Sequence, residues 1–370
     1  MNNNPIRVLN IMPGIMDLAG AETMLMNYYR HFDREKVQMD FLCIGEQIGA
    51  YDHEIQRMGG RIYHIAPLHK NILKYMEAIN YILKNNSYGI VHVHQDCLGF
   101  IPLLLARYNN IPCRVAHSHS TQHRGSNSFK NIMLNTFRKL IPMVATDYMA
   151  CSMAAGKWMF GQRKFTVMYN AIDLETFSYN GQERNKVRSE YVVDEDALLI
   201  GQVGRFCKVK NQIFTLEILK TMLYQMPNVK LMLVGMGPEE ENIRKYILEN
   251  KLMDYVIVVP PHKDIFAFYS AFDVLLIPSL YEGLTLVAVE AQSCSLPCVI
   301  SDTISSEVCV TDIVTTVSLD DEINHWIKAI CKIVKTSRES KTLQVSKAGY
   351  SIANETIKLQ NFYVEHSKEV

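Results

Sequence analysis

Two segments of this 370-residue chain combine residue types and spacings suited to a phosphorylated, hydroxyl-rich ligand. In Pro278-Ser-Leu-Tyr-Glu282-Gly-Leu-Thr-Leu-Val-Ala-Val-Glu290-Ala, an apolar run ends at Ile277 and a helical pattern begins near Thr285–Leu286. Free N–H groups at such a helix start favour an anion, so a phosphate fits there. Gly283 lets a ligand approach the backbone closely. Glu282 and Glu290 lie about two helical turns apart, which allows both carboxylates to face one ligand. Carboxylates are good acceptors for the vicinal hydroxyls of a sugar or a ribose. The same spacing also describes a loop acid followed by an ordinary surface glutamate.

The second segment is Gly201-Gln-Val-Gly204-Arg205-Phe-Cys-Lys208-Val-Lys210-Asn211, again a strand-like run entering a loop and then a helix. Arg205 and Lys210 flank the turn. Either is suited to neutralising a diphosphate, arginine through a forked contact and lysine as a point charge. A solvated basic loop has the same composition. No Walker loop and no Gly-x-Gly-x-x-Gly fingerprint occurs, and Gly235-Met-Gly237-Pro238 is only a weak likeness of the latter.

Histidines recur at i, i+2 spacing in His92/His94 and His117/His119, with His123 close by. Zinc uses such pairs, but neither comes with an acidic third ligand in sequence, so no metal is expected. Asp194-Glu-Asp196 imitates an Asp-x-Asp metal motif but precedes a strand, the wrong end for a ligand loop.

The elements that must position these residues alternate from end to end. Apolar, β-branched runs predict strands at Arg7–Ile11, Gln38–Ile44, Arg61–Ile65, Ile90–His94, Cys113–His117 and Tyr148–Cys151. Helical patterns lie at Ala21–His31, Tyr51–Met58, Ile72–Lys84, Leu98–Tyr108, Phe129–Leu140 and Met153–Phe160. After a polar, charged stretch at Asn180–Asp196 the series restarts. Strands are predicted at Leu198–Val203, Lys230–Val234, Val256–Val259, Val274–Ile277, Pro297–Ile300 and Ile313–Thr316, with helices such as Gln212–Gln225, Glu239–Asn250 and Leu286–Ser293. Two α/β doubly wound, Rossmann-like domains follow, 1–178 and 179–351, with a last helix in 352–370 packing back on the first. Ligands of such sheets bind at the carboxyl ends of strands, and a cleft between two of them suits a two-substrate reaction.

Composition is consistent with this. Apolar residues make up 48% of the chain, no uncharged apolar run is long enough to span a bilayer, and no secretory signal pattern opens the sequence. Nine scattered cysteines without a Cys-x-x-Cys pair read as reduced core residues of a cytoplasmic protein. Net charge is zero, yet residues 1–175 carry 18 Lys and Arg against 13 Asp and Glu. That excess is too thin for a nucleic-acid partner but suits contact with an anionic membrane or a phosphate-bearing acceptor. The basic helix at Ser128–Val144, with Phe129, Ile132, Met133, Thr136, Phe137 and Leu140 on one side and Lys130, Arg138 and Lys139 at its margins, is the predicted point of peripheral contact.

Taken in order, Gly204-Arg205 with Lys210-Asn211, Leu233-Val-Gly235-Met-Gly237 and Glu282-x7-Glu290 resemble the retaining glycosyltransferases of family 4, which have the GT-B architecture. Ala19-Gly20-Ala21-Glu22, Asn170-Ala-Ile-Asp173 and Val115-Ala-His117-Ser-His119-Ser extend the resemblance over nearly the whole chain. Ala116-His-Ser-His119, Ala150-Cys-Ser-Met-Ala-Ala-Gly156-Lys-Trp158 and Leu296-Pro-Cys-Val-Ile-Ser301-Asp302 are similar to exopolysaccharide and capsule enzymes. The resemblance implies two facing domains, acceptor-binding then donor-binding, that transfer a hexose or N-acetylhexosamine from a nucleotide-diphosphate sugar, UDP by family habit. The acceptor would be a glycan or lipid-linked molecule in cell-surface polysaccharide synthesis. It implies Glu290 on the ribose, Arg205 and Lys210 on the diphosphate, and Glu282, Gly283, Leu284 and Thr285 at the transferred sugar and phosphate. Gly204 belongs to the same loop. His119 aligns with the family histidine beside the sugar, His117 departs from the commoner Thr or Ser, Gly20 admits the diphosphate, and Pro261–His262 mark the base. No cofactor or metal is implied. A nucleotide-sugar 2-epimerase and a non-catalytic partner subunit share the architecture and are the competing readings.

Overall fold

The computed structural model describes residues 4–17, 20–121, 128–262, 264–282 and 284–367, with backbone alone at Ser128 and Phe129. The chain divides into two compact units, Met1–Ala171 with Ile352–Val370, and Ile172–Ser351. The division falls just before the 178/179 boundary read from sequence.

In the first unit, β1 (Ile6–Ile11), β2 (Val37–Ile44), β3 (Ile62–Ile65), β4 (Ile90–Val93), β5 (Cys113–Ser118), β6 (Asp147–Ala150) and β7 (Thr166–Val167) form one sheet in the order β3-β2-β1-β4-β5-β6-β7. Every pairing is parallel. Their near-continuous apolar sequences follow from cover on both faces: Leu9, Ile11, Val91 and Val93 join one buried cluster, and Val8, Ile90 and Val115 join another. The two-residue β7 is too short to leave a periodic signal.

The last helix, Ile352–Ser367, lies on the second of those faces, where Ile352, Leu359 and Tyr363 are buried with Met24, Tyr28 and Val8. Burial of Ile352 and Leu359 contributes roughly 1.5–3 kcal/mol each. On β2, the buried carboxylate of Asp40 is met by the Arg7 guanidinium, the Tyr88 hydroxyl at 2.7 Å and the Arg61 backbone N–H at 2.7 Å, so its charge is compensated.

In the second unit, β8 (Leu198–Val203), β9 (Val229–Val234), β10 (Val256–Val259), β11 (Val274–Ile277), β12 (Cys298–Ser301) and β13 (Val314–Val317) run parallel in the order β10-β9-β8-β11-β12-β13. The strand order reverses between β8 and β11, the point where doubly wound sheets open a crevice for ligands. Both ligand-suited segments of the sequence leave from these two strands.

The structure explains one stretch of the sequence and corrects one expectation. The stretch Asn180–Asp196 contains the helix Gly181–Glu190, capped by the Asn180 side chain and tied to Asp273 by Arg184 at 2.7 Å and Arg188 at 3.3 Å. Part of its polarity serves ion pairing to Asp273. The helix Ser128–Leu140 does not present one apolar side: Leu134 is buried and Phe137 stacks on Phe100 at 5.2 Å, whereas Ile132 is 65% exposed. Arg138 donates to the Trp158 carbonyl and lies 5.3 Å over its ring, inside the unit's own packing. Among the described residues no helix is long and apolar enough to cross a membrane.

Candidate functional site

The loops after β8 and β11 are laced together by main-chain and side-chain bonds. Asn211, in the left-handed region at φ 55°, donates to the Pro278 carbonyl at 3.1 Å, and the Leu280 N–H donates to the Val209 carbonyl at 2.8 Å. This brings Lys210 to Glu282: the ammonium lies 2.8 Å from Oε1, with the two side chains 21% and 12% exposed. Ser279 donates a short hydrogen bond to the same carboxylate. Ser301, the last residue of β12, and Thr303, just beyond it, donate to the Ser279 carbonyl at 2.7 and 2.6 Å and pin the loop from its other side.

Arg205 is exposed and its guanidinium has no partner among the described residues. Its backbone carbonyl accepts from Gln212 at 3.1 Å, and the Lys210 carbonyl accepts from Gln202 at 2.7 Å, so the loop is held while the arginine is left available. Close packing explains the glycines nearby. A Cβ on Gly235 would stand 2.0 Å from the Gly204 carbonyl oxygen, and one on Gly237 would stand 2.3 Å from that of Phe206. Only glycine lets the loops after β8 and β9 touch backbone to backbone.

Helix Leu286–Ser293 starts after Thr285, whose side chain makes no capping bond, so its first N–H groups lack a side-chain acceptor there. Leu284 is half-buried and Thr285 buried, while Gly283 lies outside the described residues. Glu290 is half-buried and accepts from the Tyr269 hydroxyl at 2.8 Å. Burial pushes the Glu290 carboxyl up, and the Tyr269 bond opposes this. Tyr269 is held in turn by Arg338, which donates to the carbonyls of Tyr269, Ser270, Phe272 and Cys294 at 2.9–3.0 Å. Pro261 and His262 are exposed on the loop after β10, and His262 Nδ1 accepts from the Asp264 N–H at 3.1 Å.

In the first unit the two histidine pairs meet, because β4 and β5 are neighbours in register and both pairs face the same way. His92 Nε2 is 3.0 Å from His117 Nδ1, and His94 Nδ1 is 3.0 Å from His119 Nε2. His92 reaches the Tyr363 hydroxyl at 2.7 Å and His94 reaches Asn10 Oδ1 at 3.3 Å. The His117 and His119 rings stack at 4.2 Å, 9° from parallel. Burial pushes all four imidazoles down, His92 to about 3, so the cluster is neutral near pH 7. His117 is 1% exposed and lies inside the unit, whereas His119 is only half-buried at the strand end.

His92, His94 and His117 have ring nitrogens within 4.8 Å of one another, a spacing that a metal ion fits. No acidic residue belongs to that group, so a divalent charge there would be buried without a counter-charge. Gly20 opens the helix Gly20–His31 at the surface, and a Cβ there meets nothing within 4 Å. Ala19 and His123 lie outside the described residues.

With two parallel doubly wound sheets and these loops in place, comparison with known proteins is decisive. Residues 183–351 match the model of glycosyl transferases group 1, and residues 18–176 match that of glycosyltransferase family 4. EpsF of Bacillus subtilis (strain 168), assigned as a glycosyltransferase, is 36% identical over 98% of this chain and 97% of its own. The chain belongs to glycosyltransferase family 4. An Escherichia coli UDP-Gal:alpha-D-GlcNAc-diphosphoundecaprenol alpha-1,3-galactosyltransferase is 21% identical over 94% of both chains. The crystal structure of Anabaena HepE in complex with UDP superposes with a TM-score of 0.77 at 17% identity, covering 97% of this chain and 99% of that one. The fold of this family 4 glycosyltransferase is therefore GT-B.

Sequence reasoning missed four positioning groups of this glycosyltransferase: Ser279, Tyr269, Arg338 and Asp96. Asp96 accepts from the His119 N–H at 2.7 Å and from Ser120 at 2.9 Å. Tyr269, Arg338 and Asp96 are distant in sequence from the groups that they contact, so no local pattern marks them, whereas Ser279 lies three residues before Glu282 within the segment already singled out. The Lys210–Glu282 pair shows in the sequence only as opposite charges on two loops, and their meeting depends on β8 and β11 being neighbours in the sheet.

Proposed function

We propose that the chain transfers a hexose or N-acetylhexosamine, with retention, from a UDP-sugar to a glycan or lipid-linked acceptor in cell-surface polysaccharide synthesis. The observation that carries this reading is the Lys210–Glu282 pair, held at the sheet's switch point beside an unpartnered Arg205. Its support from relatives is the UDP bound by HepE and the galactosyl donor and diphosphoundecaprenol acceptor named for the E. coli enzyme.

The leaving group is a nucleoside diphosphate whose negative charge grows as the glycosidic bond breaks. Arg205, Lys210 and the open N-terminus of helix Leu286–Ser293 supply positive potential for it, so a divalent cation is not required. Glu282, already neutralised by Lys210, is placed to accept from sugar hydroxyls, and Glu290, oriented by Tyr269, from ribose hydroxyls. Glu282 is tied to Lys210 and Ser279, which disfavours it as a nucleophile, so retention proceeds by same-face attack with the departing phosphate as base.

Incubation with a panel of UDP-, GDP- and ADP-sugars tests the reading. Release of UDP with a glycosylated product, undiminished by EDTA, is expected. An epimerised sugar without acceptor would establish the epimerase reading, and activity restored only by one divalent metal would overturn metal independence. We place the enzyme in the cytoplasm, in peripheral contact with anionic membrane through Ile132, Lys130 and Lys139 of the first unit. Co-sedimentation with anionic but not neutral vesicles is expected, and equal recovery in both supernatants overturns it.

A further inference from the structure

Hydrogen bonding in the histidine cluster fixes which nitrogen of His119 carries its proton. Asn10 on β1 is fully buried, and its Nδ2 faces two carbonyls, Asp40 at 3.4 Å and Val8 at 3.5 Å. Carbonyl oxygens only accept, so the amide must turn its NH2 to them and its Oδ1 to His94. The opposite orientation would set Oδ1 against two carbonyl oxygens. Oδ1 also only accepts, so His94 Nε2, 3.3 Å away, bears the hydrogen. A neutral imidazole has one N–H, which leaves a lone pair on His94 Nδ1. That lone pair faces His119 Nε2 at 3.0 Å, so His119 Nε2 is the donor and His119 Nδ1 the bare acceptor.

The chain of assignments requires neutral rings, and burial holds both His94 and His119 below the ordinary histidine range. The Asp96 carboxylate fixes the backbone of His119, and the stacked His117 ring fixes its plane. His119 Nδ1 has no hydrogen-bond partner among the described residues, and the ring is half-buried at the end of β5.

We propose that Asn10 and His94 are positioning residues that lock His119 in its Nε2–H form, so that Nδ1 accepts from a sugar hydroxyl and disfavours groups that only accept. This rests on the reading of His119 as the residue beside the transferred sugar. The site then selects a donor whose sugar offers an O–H at that position, a hexose or N-acetylhexosamine. It discriminates against the corresponding uronic acid, whose carboxylate oxygens face a lone pair. A phosphate oxygen is disfavoured by the same reasoning.

The full chain labelled with ¹⁵N-histidine reports the tautomer directly. His119 is expected neutral at pH 7 with the hydrogen on Nε2; a hydrogen on Nδ1, or a protonated ring, overturns the proposal. That measurement needs no variant and stands even if substitutions at the buried Asn10 fail to fold. In Asn10→Leu, mixed tautomers are expected. The preference for UDP-glucose over UDP-glucuronate, or UDP-galactose over UDP-galacturonate, should fall about tenfold, the scale of one hydrogen bond. His94→Gln, which keeps an acceptor oxygen, should retain more of that preference than His94→Leu. Stoichiometric zinc in the purified protein, lost in His117→Ala, would overturn the relay, because the nitrogens would then be ligands. Unchanged turnover and preference in His119→Ala would instead overturn the placement of His119 at the sugar and the selectivity with it, whatever tautomer the spectrum shows.

Discussion

Lys210 and Arg205 carry the same charge on the same loop, yet their surroundings give them different tasks. Lys210 is neutralised by Glu282 before any ligand arrives, whereas Arg205 faces solvent with its guanidinium unpartnered. Each substitution to alanine is expected to lower turnover by roughly 10²–10³-fold, the scale of losing one group that stabilises charge in the transition state. Their stabilities should diverge. Arg205→Ala should leave the unfolding midpoint unchanged, while Lys210→Ala leaves the 12% exposed Glu282 without its cation and should cost about 1–2 kcal/mol. Paired kinetics and thermal melts check this, and wild-type turnover in either variant removes the diphosphate assignment.

The loops behave as units because glycine permits their contact. Gly235 has φ +156°, and an added Cβ would meet the Gly204 carbonyl at 2.0 Å, so the loops after β8 and β9 must separate to admit it. Gly235→Ala is expected to cost roughly 1–3 kcal/mol, as overpacking does, and to weaken binding of the proposed UDP-sugar donor by shifting Arg205. Gly20 supplies the contrast. Nothing within 4 Å meets a Cβ there, so Gly20→Ala should leave stability the same or raise it by a few tenths of a kcal/mol. Loss of activity in that variant with an unchanged melt would then report close approach of the ligand. Equal activity would show that the ligand keeps its distance from this helix start.

For the molecule as a whole, the buried histidines set the acid limit of stability. Their folded pKa values lie below the unfolded value near 6.5, that of His92 at about 3. Below pH 6.5 the unfolded chain therefore binds protons that the folded chain refuses, and stability falls as pH falls. Each such histidine costs about 1.4 kcal/mol per pH unit once its unfolded form is fully protonated. Denaturant midpoints between pH 7 and 5 should drop steeply, and His92→Gln should flatten the slope by one proton. A pH-independent midpoint over that range would mean that the rings are not buried as neutral species.

Most of the architecture was legible because parallel strands covered on both faces must be apolar throughout, and helices between them must alternate. The runs Leu198–Val203, Val256–Val259 and Val274–Ile277 needed no tertiary information to be placed. The candidate site was legible as residue types: Arg205, Lys210 and Glu282 carry charge on loops at strand ends, and Glu290 on the helix that follows. Tertiary structure decided what those groups do to one another. The pairing of Lys210 with Glu282 depends on β8 and β11 lying side by side, a consequence of strand order that no local spacing encodes. The meeting of His92 and His94 with His117 and His119 depends on the register of β4 against β5, and the orientation of His94 on Asn10 of β1. Sequence determines which chemistry is carried; the order and register of strands determine which nitrogen and which oxygen face each other, because hydrogen bonds form across distances in space that are unrelated to distance along the chain.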